Sequence, residues 1–268
     1  KNLLMSAFAV ITLRKHYRPT NHETIQIHPN SLHLIELLVV ISIIAILAGI
    51  ALPVFGAAQT NAAQTKGLSN GKQIGTALRL FAGQNDGLYP AFGLSRGRPD
   101  PSRVLSDSNT ALAQLIPDQL PNEDVFWQAK SAWCNKVAAD NQIDRDSPDA
   151  PVQTLRGGEN EWAYVIGLND TSNPSFPLIA NGFVQGGETS HRYSVVASER
   201  GGIWKGKNAI VIRCDGSGAI LRVNGRDLIV NGPNGGTTDG DIFTITNAAM
   251  GWLGPDNRVL NPLPPVTQ

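Results

Sequence analysis

Few groupings in this chain have a recognisable chemistry, and each points to a different class. His191 is the sole histidine beyond residue 33, with Ser190 beside it. A nucleophilic triad or a His-ligated metal needs partners around the ring. No nucleophile-elbow pattern is present, so a surface histidine is expected. Gly201-Gly202-Ile203-Trp204-Lys205-Gly206-Lys207-Asn208 nearly spells a phosphate-binding loop. That motif requires Ser or Thr after the Lys and a helix beyond it. Asn208 and a β-type run follow instead, which predicts a Gly-rich loop between strands. Asp239-Gly240-Asp241 and the Asp144, Asp146 and Asp149 cluster offer hard oxygen donors suited to calcium. Neither has EF-hand spacing, so a solvated acidic turn is the simpler expectation and Asp239 and Asp241 are the candidates for a structural Ca²⁺. Cys134 and Cys214 either form one disulfide or remain two separate buried thiols. Closing so long a loop would stabilise by about 4 kcal/mol in the chain-entropy model. No set of residues supports catalysis, and none is assigned a catalytic role.

Glu36 raises a different question, because it stands at the mouth of an apolar run. From Leu37 to Thr65 the chain carries no charge. Leu37–Phe55 is 19 residues long, and 13 of them are Leu, Ile, Val or Phe. A helix needs about 20 such residues to cross a bilayer. A core helix of a soluble domain would keep a polar stripe, and here only Ser42 is polar. At roughly 0.3–0.6 kcal/mol each, the large apolar residues favour insertion by about 4–8 kcal/mol. Glu36 opposes this by roughly 3 kcal/mol at most, and less if it reaches the headgroups. Insertion wins. A carboxylate in that position implies either a snorkelling interfacial acid or a salt bridge to a cation on a neighbouring chain.

The run continues as a polar but periodic stretch. Gly67, Gly71, Ile74, Leu78 and Phe81 follow 4-3-4-3 spacing and fall on one helix face. One helix from about 34 to 82 would be roughly 75 Å long. Pro53, with Gly49 and Gly56 nearby, should kink or locally melt it. Residues 1–31 hold Lys1, Arg14, Lys15 and Arg18 against Glu23 alone, and four of the five histidines lie within the first 33 positions. That asymmetry marks a targeting or processing leader.

Leu34-Ile35-Glu36-Leu37-Leu38-Val39-Val40-Ile41, continued by Ile43-Ile44-Ala45-Ile46-Leu47, resembles the N-terminal processing segment of type IV pilins and type II secretion pseudopilins. Aligned on Glu36, the resemblance places a prepilin-peptidase cut between Ser31 and Leu32 and N-methylation on Leu32. Pro53 then falls at position 22 of the shortened chain, where the family also has a helix-breaking Pro. Ser31, Leu32 and His33 stand where the family has Gly, Phe and Thr. Asn70-Gly71-Lys72-Gln73-Ile74-Gly75, Ala77-Leu78, Phe81-Ala82, Asn85-Asp86-Gly87 and Pro90 are similar to pilin-like proteins abundant in planctomycetes and verrucomicrobia. Many of those carry a His about ten residues before an Asp-Gly pair; here Lys205 precedes Asp215-Gly216. The resemblance implies a precursor in the inner membrane with a periplasmic globular part. Its partners would be lipid, the peptidase, an assembly platform and then copies of itself, in a pilus-like or secretion filament in which Glu36 sets the register. A non-polymerising membrane-anchored protein that binds glycan or peptide is the alternative.

Composition agrees with both. With 22 basic and 22 acidic residues the net charge is zero, which argues against nucleic acid as a partner. Two cysteines exclude a disulfide-dense scaffold and a four-cysteine zinc site. The fold class expected is α+β: a leader (1–31), an apolar half-helix (32–56), an amphipathic half-helix and its exit (57–90), and a globular α+β part (91–268). In the last, 108–116 and 123–139 read as short helices. Runs 194–198, 209–213, 219–223, 228–231 and 242–246 read as strands, with Asp215-Gly216-Ser217-Gly218 as a hairpin turn. The tail from Pro255 reads as irregular, and the five tryptophans read mainly as core anchors.

Overall fold

In the computed structural model the described residues are 30–95, 98–128, 130–134, 139–143, 154–187, 190–232, 240–243 and 257–265. Helix α1 (Asn30–Gln84) spans 55 residues. The chain divides after Val54 into two units, each taken by itself below. In the first, every side chain described from Leu34 to Val54 is exposed. The helix stays continuous through Gly49, Pro53 and Gly56, so the local melting expected at Pro53 does not occur. Proline removes a single i→i−4 bond, and the unbroken turns on either side hold the helix.

In the second unit α1 is organised by its glycine stripe. A β-carbon at Gly67 would lie 2.7 Å from Ile210 Cδ1, and one at Gly71 would lie 2.8 Å from Trp162 Cη2 and 3.0 Å from Ile212. Two residues along a strand rise about 6.7 Å and four along a helix about 6 Å. Gly67 and Gly71 therefore step in time with Ile210 and Ile212. Ile74, Leu78 and Phe81 continue the same face into the core. The helix ends where Gly87 takes a φ of +80° and donates its N–H to the Ala82 carbonyl, a conformation that suits glycine.

Beyond α1 come a hairpin of β1 (Phe92–Ser95) and β2 (Arg98–Val104), then the short helix α2 (Ser108–Ala113). Asp107 caps α2 by accepting from the Thr110 N–H at 2.8 Å. The principal sheet is built from β3 (Trp162–Ile166), β4 (Pro177–Asn181), β7 (Asn208–Arg213), β8 (Gly218–Arg222) and β9 (Arg258–Leu260), all paired antiparallel in the order β8-β7-β4-β3-β9. β5 (Gln185–Gly187) and β6 (Ser190–Arg192) form a separate hairpin. The α+β class and the sheet against the stripe follow expectation.

Several local expectations fail for identifiable reasons. The span 123–139 is not helical where described. Instead Glu123 turns inward, and its carboxylate accepts the backbone N–H groups of Leu155 and Asn141. Run 194–198 is a turn, because Ser194 Oγ accepts from the Val196 N–H and donates to Glu199, a local bond that competes with a strand ladder. Run 228–231 spreads its backbone bonds over Tyr193, Asn224 and Ile242 and never forms a ladder. Within 242–246 the two described residues, Ile242 and Phe243, form a turn. The tail contributes β9 rather than staying irregular. Of the tryptophans, Trp162 and Trp204 are buried and Trp127 and Trp133 are half-buried; Trp252 lies outside the described residues.

The stripe makes a direct test. Gly71→Val should destabilise the sheet-bearing unit by about 1–3 kcal/mol. Gly83→Ala, where a β-carbon meets nothing within 4 Å, should stabilise it by up to about 1 kcal/mol. Thermal unfolding followed by near-ultraviolet circular dichroism reads both. A Gly71→Val chain as stable as the parent contradicts this packing.

Candidate functional site

The apolar segment is chemically simple. All 13 large side chains of Leu37–Phe55 are between 47% and 72% exposed. Its one polar side chain is answered within the helix: Ser42 Oγ donates to the Leu38 carbonyl at 2.7 Å. An exposed apolar surface this continuous is the mark of a lipid or protein contact. The segment lies in the one helix, among the described residues, that is long and apolar enough to cross a membrane. Glu36 sits near its start and Pro53 near its end, while Ser31 and Leu32 lie in the first turn of α1.

The histidine expected at the surface is buried, at 1% exposure. Its β5–β6 hairpin folds beneath residues 240–243. The His191 backbone N–H donates to Asp241 Oδ2 at 2.8 Å, and its ring Nδ1 faces Asp241 Oδ1 at 3.1 Å. Asp241 Oδ1 also accepts from the Phe243 N–H. Phe183 and Phe243 meet the imidazole edge to face at 5.1 and 5.6 Å. Asp241, taken above as a calcium candidate, is thus no solvated turn acid, since its oxygens serve His191 and the 241–243 turn. Asp239 lies outside the described residues, as do Asp144, Asp146 and Asp149. Among the described residues the imidazole makes no hydrogen bond to a serine, threonine or cysteine. The Gly201–Asn208 stretch forms turns leading into β7, as its sequence predicts.

Both cysteines are free and buried, so the Cys134–Cys214 bridge is not made. Cys134 Sγ instead donates to Glu161 Oε2 at 3.1 Å, and burial pushes the Cys214 thiol up to about 12. Sequence reasoning missed the carboxylates that gather nearby in the chain. Burial raises Glu161 to about 7 and Glu123 to about 7, and also raises Glu159. Oxygens of Glu123, Asp140 and Glu159 lie within 4.8 Å of one another. Glu123 spends both oxygens on backbone amides, Glu159 accepts from the Arg156 N–H, and Asp140 faces Arg156 Nη1 at 3.4 Å. The cluster therefore works as a clip between loops. Nothing local in the sequence marks it, since its members are spread from residue 123 to 159.

No protein-family model, curated protein or solved structure matches this chain.

Two outcomes follow from these buried groups. Asp241→Ala strands His191 and two backbone amides, and should cost about 2–4 kcal/mol in thermal unfolding; an unchanged melt contradicts the latch. Glu161 has its folded pKa raised from 4.5 to about 7. The fold therefore holds more protons than the unfolded chain between those values, and stability falls as pH rises through the window. The drop from this residue is at most on the order of 3 kcal/mol. Melts at pH 5 and pH 7.5 should show the parent less stable at the higher pH, with Glu161→Gln narrowing the difference. A parent that gains stability over that interval contradicts the assignment.

Proposed function

We propose that this chain is a pilin-like structural subunit: a precursor anchored in the inner membrane by residues 34–55, which leaves lipid for the flanks of identical helices in a filament. The observation that carries the proposal is that no described side chain of that segment is buried. Water is a poor solvent for it, and every described side chain in it is exposed. Lipid and sister helices are the two environments that would cover it.

The exchange between them is nearly neutral in hydrophobic terms, because acyl chains are as apolar as leucine. Association must then come from close packing and from polar pairing. Ala45 and Gly49 lie one turn apart, and a β-carbon at Gly49 or Gly56 would meet nothing within 4 Å. Such small positions let helices approach. Glu36 is the sole Asp, Glu, Lys or Arg between Leu34 and Thr65, and in this reading it fixes the axial register by meeting a cation of a neighbouring subunit. A peptidase cut between Ser31 and Leu32 would supply one, the α-amine of a methylated Leu32. The folded unit beyond Phe55 would then be displayed in the periplasm or outside the cell. No step of this asks for a catalytic group or a resident cofactor.

Glu36→Ala should leave membrane insertion intact and abolish filaments or randomise their register, read by fractionation and electron microscopy of cells expressing the full chain. Normal filaments from the variant defeat the role of Glu36. A parent chain that stays membrane-bound and monomeric defeats polymerisation and favours the membrane-anchored binder. Mass spectrometry of the mature N-terminus should find N-methylated Leu32.

A further inference from the structure

The chain has a single Asn-x-Ser/Thr triplet in which x is not proline, Asn169-Asp170-Thr171. Asn173-Pro174-Ser175 follows at once and is disqualified by its proline. Such a triplet is the acceptor pattern for N-linked sugar, and it needs a surface position in a chain that leaves the cytoplasm. The surface position is present. The triplet stands between β3 and β4, where Asp170, Thr171 and residues 173–175 are exposed and Asn169 and Ser172 are half-buried. Asp170 donates its backbone N–H to the Gly87 carbonyl at 2.9 Å, which ties this turn to the exit of α1.

Within the triplet the amide of Asn169 is used unevenly. Its Oδ1 accepts the Thr171 N–H at 3.0 Å, the Thr171 hydroxyl at 2.8 Å and the Ser172 hydroxyl at 3.1 Å. Its Nδ2 makes no hydrogen bond among the described residues. The turn therefore uses only an acceptor oxygen at this position. An aspartate would serve it as well or better, because a carboxylate is the stronger acceptor. Turn chemistry accounts for the oxygen of Asn169 and leaves its nitrogen unused. Asn173 shares the exposed turn but lacks the pattern. What sets Asn169 apart is the hydroxyl two residues on, already seated against its amide.

We infer that Asn169 is a site of N-glycosylation. In that step a bond forms between Asn169 Nδ2 and C1 of the first sugar of a polyprenyl-pyrophosphate-linked oligosaccharide. The C1–O bond to the pyrophosphate breaks, polyprenyl pyrophosphate leaves, and one Nδ2 proton passes to solvent. A membrane-bound transferase supplies the catalysis and reads the Thr171 hydroxyl. The donor is lipid-linked and the acceptor chain is anchored, so both share one bilayer. The inference rests on the proposed display of this unit outside the cytoplasm and is independent of polymerisation.

The test uses the full chain made in its own cells and purified from their envelope, with peptide mass spectrometry across residue 169. The parent peptide should carry whole sugar residues on Asn169. Asn169→Asp keeps the turn oxygen and should lose the sugar. Thr171→Val should lose most of it, and Thr171→Ser should keep it. Near-ultraviolet circular dichroism checks the fold of each variant, and the parent measurement needs no variant. Proteinase K applied to spheroplasts reports export separately. A chain that is cut there and has a bare Asn169 overturns the inference and leaves export standing. A chain protected there overturns export and the inference with it. Sugar that persists in Asn169→Asp overturns the assignment to this residue.

Discussion

Thirteen large apolar side chains on one stretch of helix must be kept from water by something, and all thirteen are exposed. At about 25 cal/mol per Å² of apolar surface, leaving such a face hydrated is the most unfavourable feature of the structure. Everything at the N-terminal end answers to it. Ser42, the one polar side chain of Leu37–Phe55, returns its hydroxyl to the helix backbone. In a bilayer a helix is acceptable because its backbone bonds are internal, and α1 satisfies that condition through Pro53 as well.

The same helix meets an opposite constraint further along. From Gly67 onward it must come close to a sheet, and glycine does there what lipid-facing leucines cannot. Ile210 and Ile212 fill the spaces that β-carbons at Gly67 and Gly71 would occupy, and Trp162 closes the second from the neighbouring part of the sheet. The two periodicities, strand and helix, agree over that interval to within an ångström. Behind this face lie groups that do not suit an apolar interior. Glu161, Glu123 and the His191–Asp241 pair are buried, and each is tolerated because it ties loops together through backbone amides or a neutral partner. These ties bring distant segments into register where regular secondary structure is sparse.

Legibility in the sequence tracked how local each signal was. The uncharged run and the 4-3-4-3 stripe are periodic, and both identified α1 without tertiary information. Asp215-Gly216-Ser217-Gly218 marked the β7–β8 hairpin because a tight turn has its own residue chemistry. Two interior strands, β3 and β4, were missed. Trp162-Ala163-Tyr164-Val165-Ile166 is buried at every position, so it lacks the alternation that betrays a half-exposed strand. Pro177 hides the start of β4, although a first strand position tolerates proline. The His191–Asp241 latch joins residues 50 apart, and the Cys134–Glu161 contact joins residues 27 apart. Neither spacing has a local signature. The disulfide alternative rested on an even cysteine count, which carries no geometry. The apolar segment was legible in full because its property is compositional.

The central claim is that residues 38–55 are solvated by hydrocarbon. Nitroxide labels placed singly along that stretch of the full chain in lipid bilayers, with collision rates measured against oxygen and a water-soluble nickel chelate, test it most directly. High oxygen access and low nickel access across 38–55, reversing by 61–66, is the predicted profile. Nickel access as high at 46–47 as at 61–66, or labels shielded from both relaxants by protein, would contradict the account.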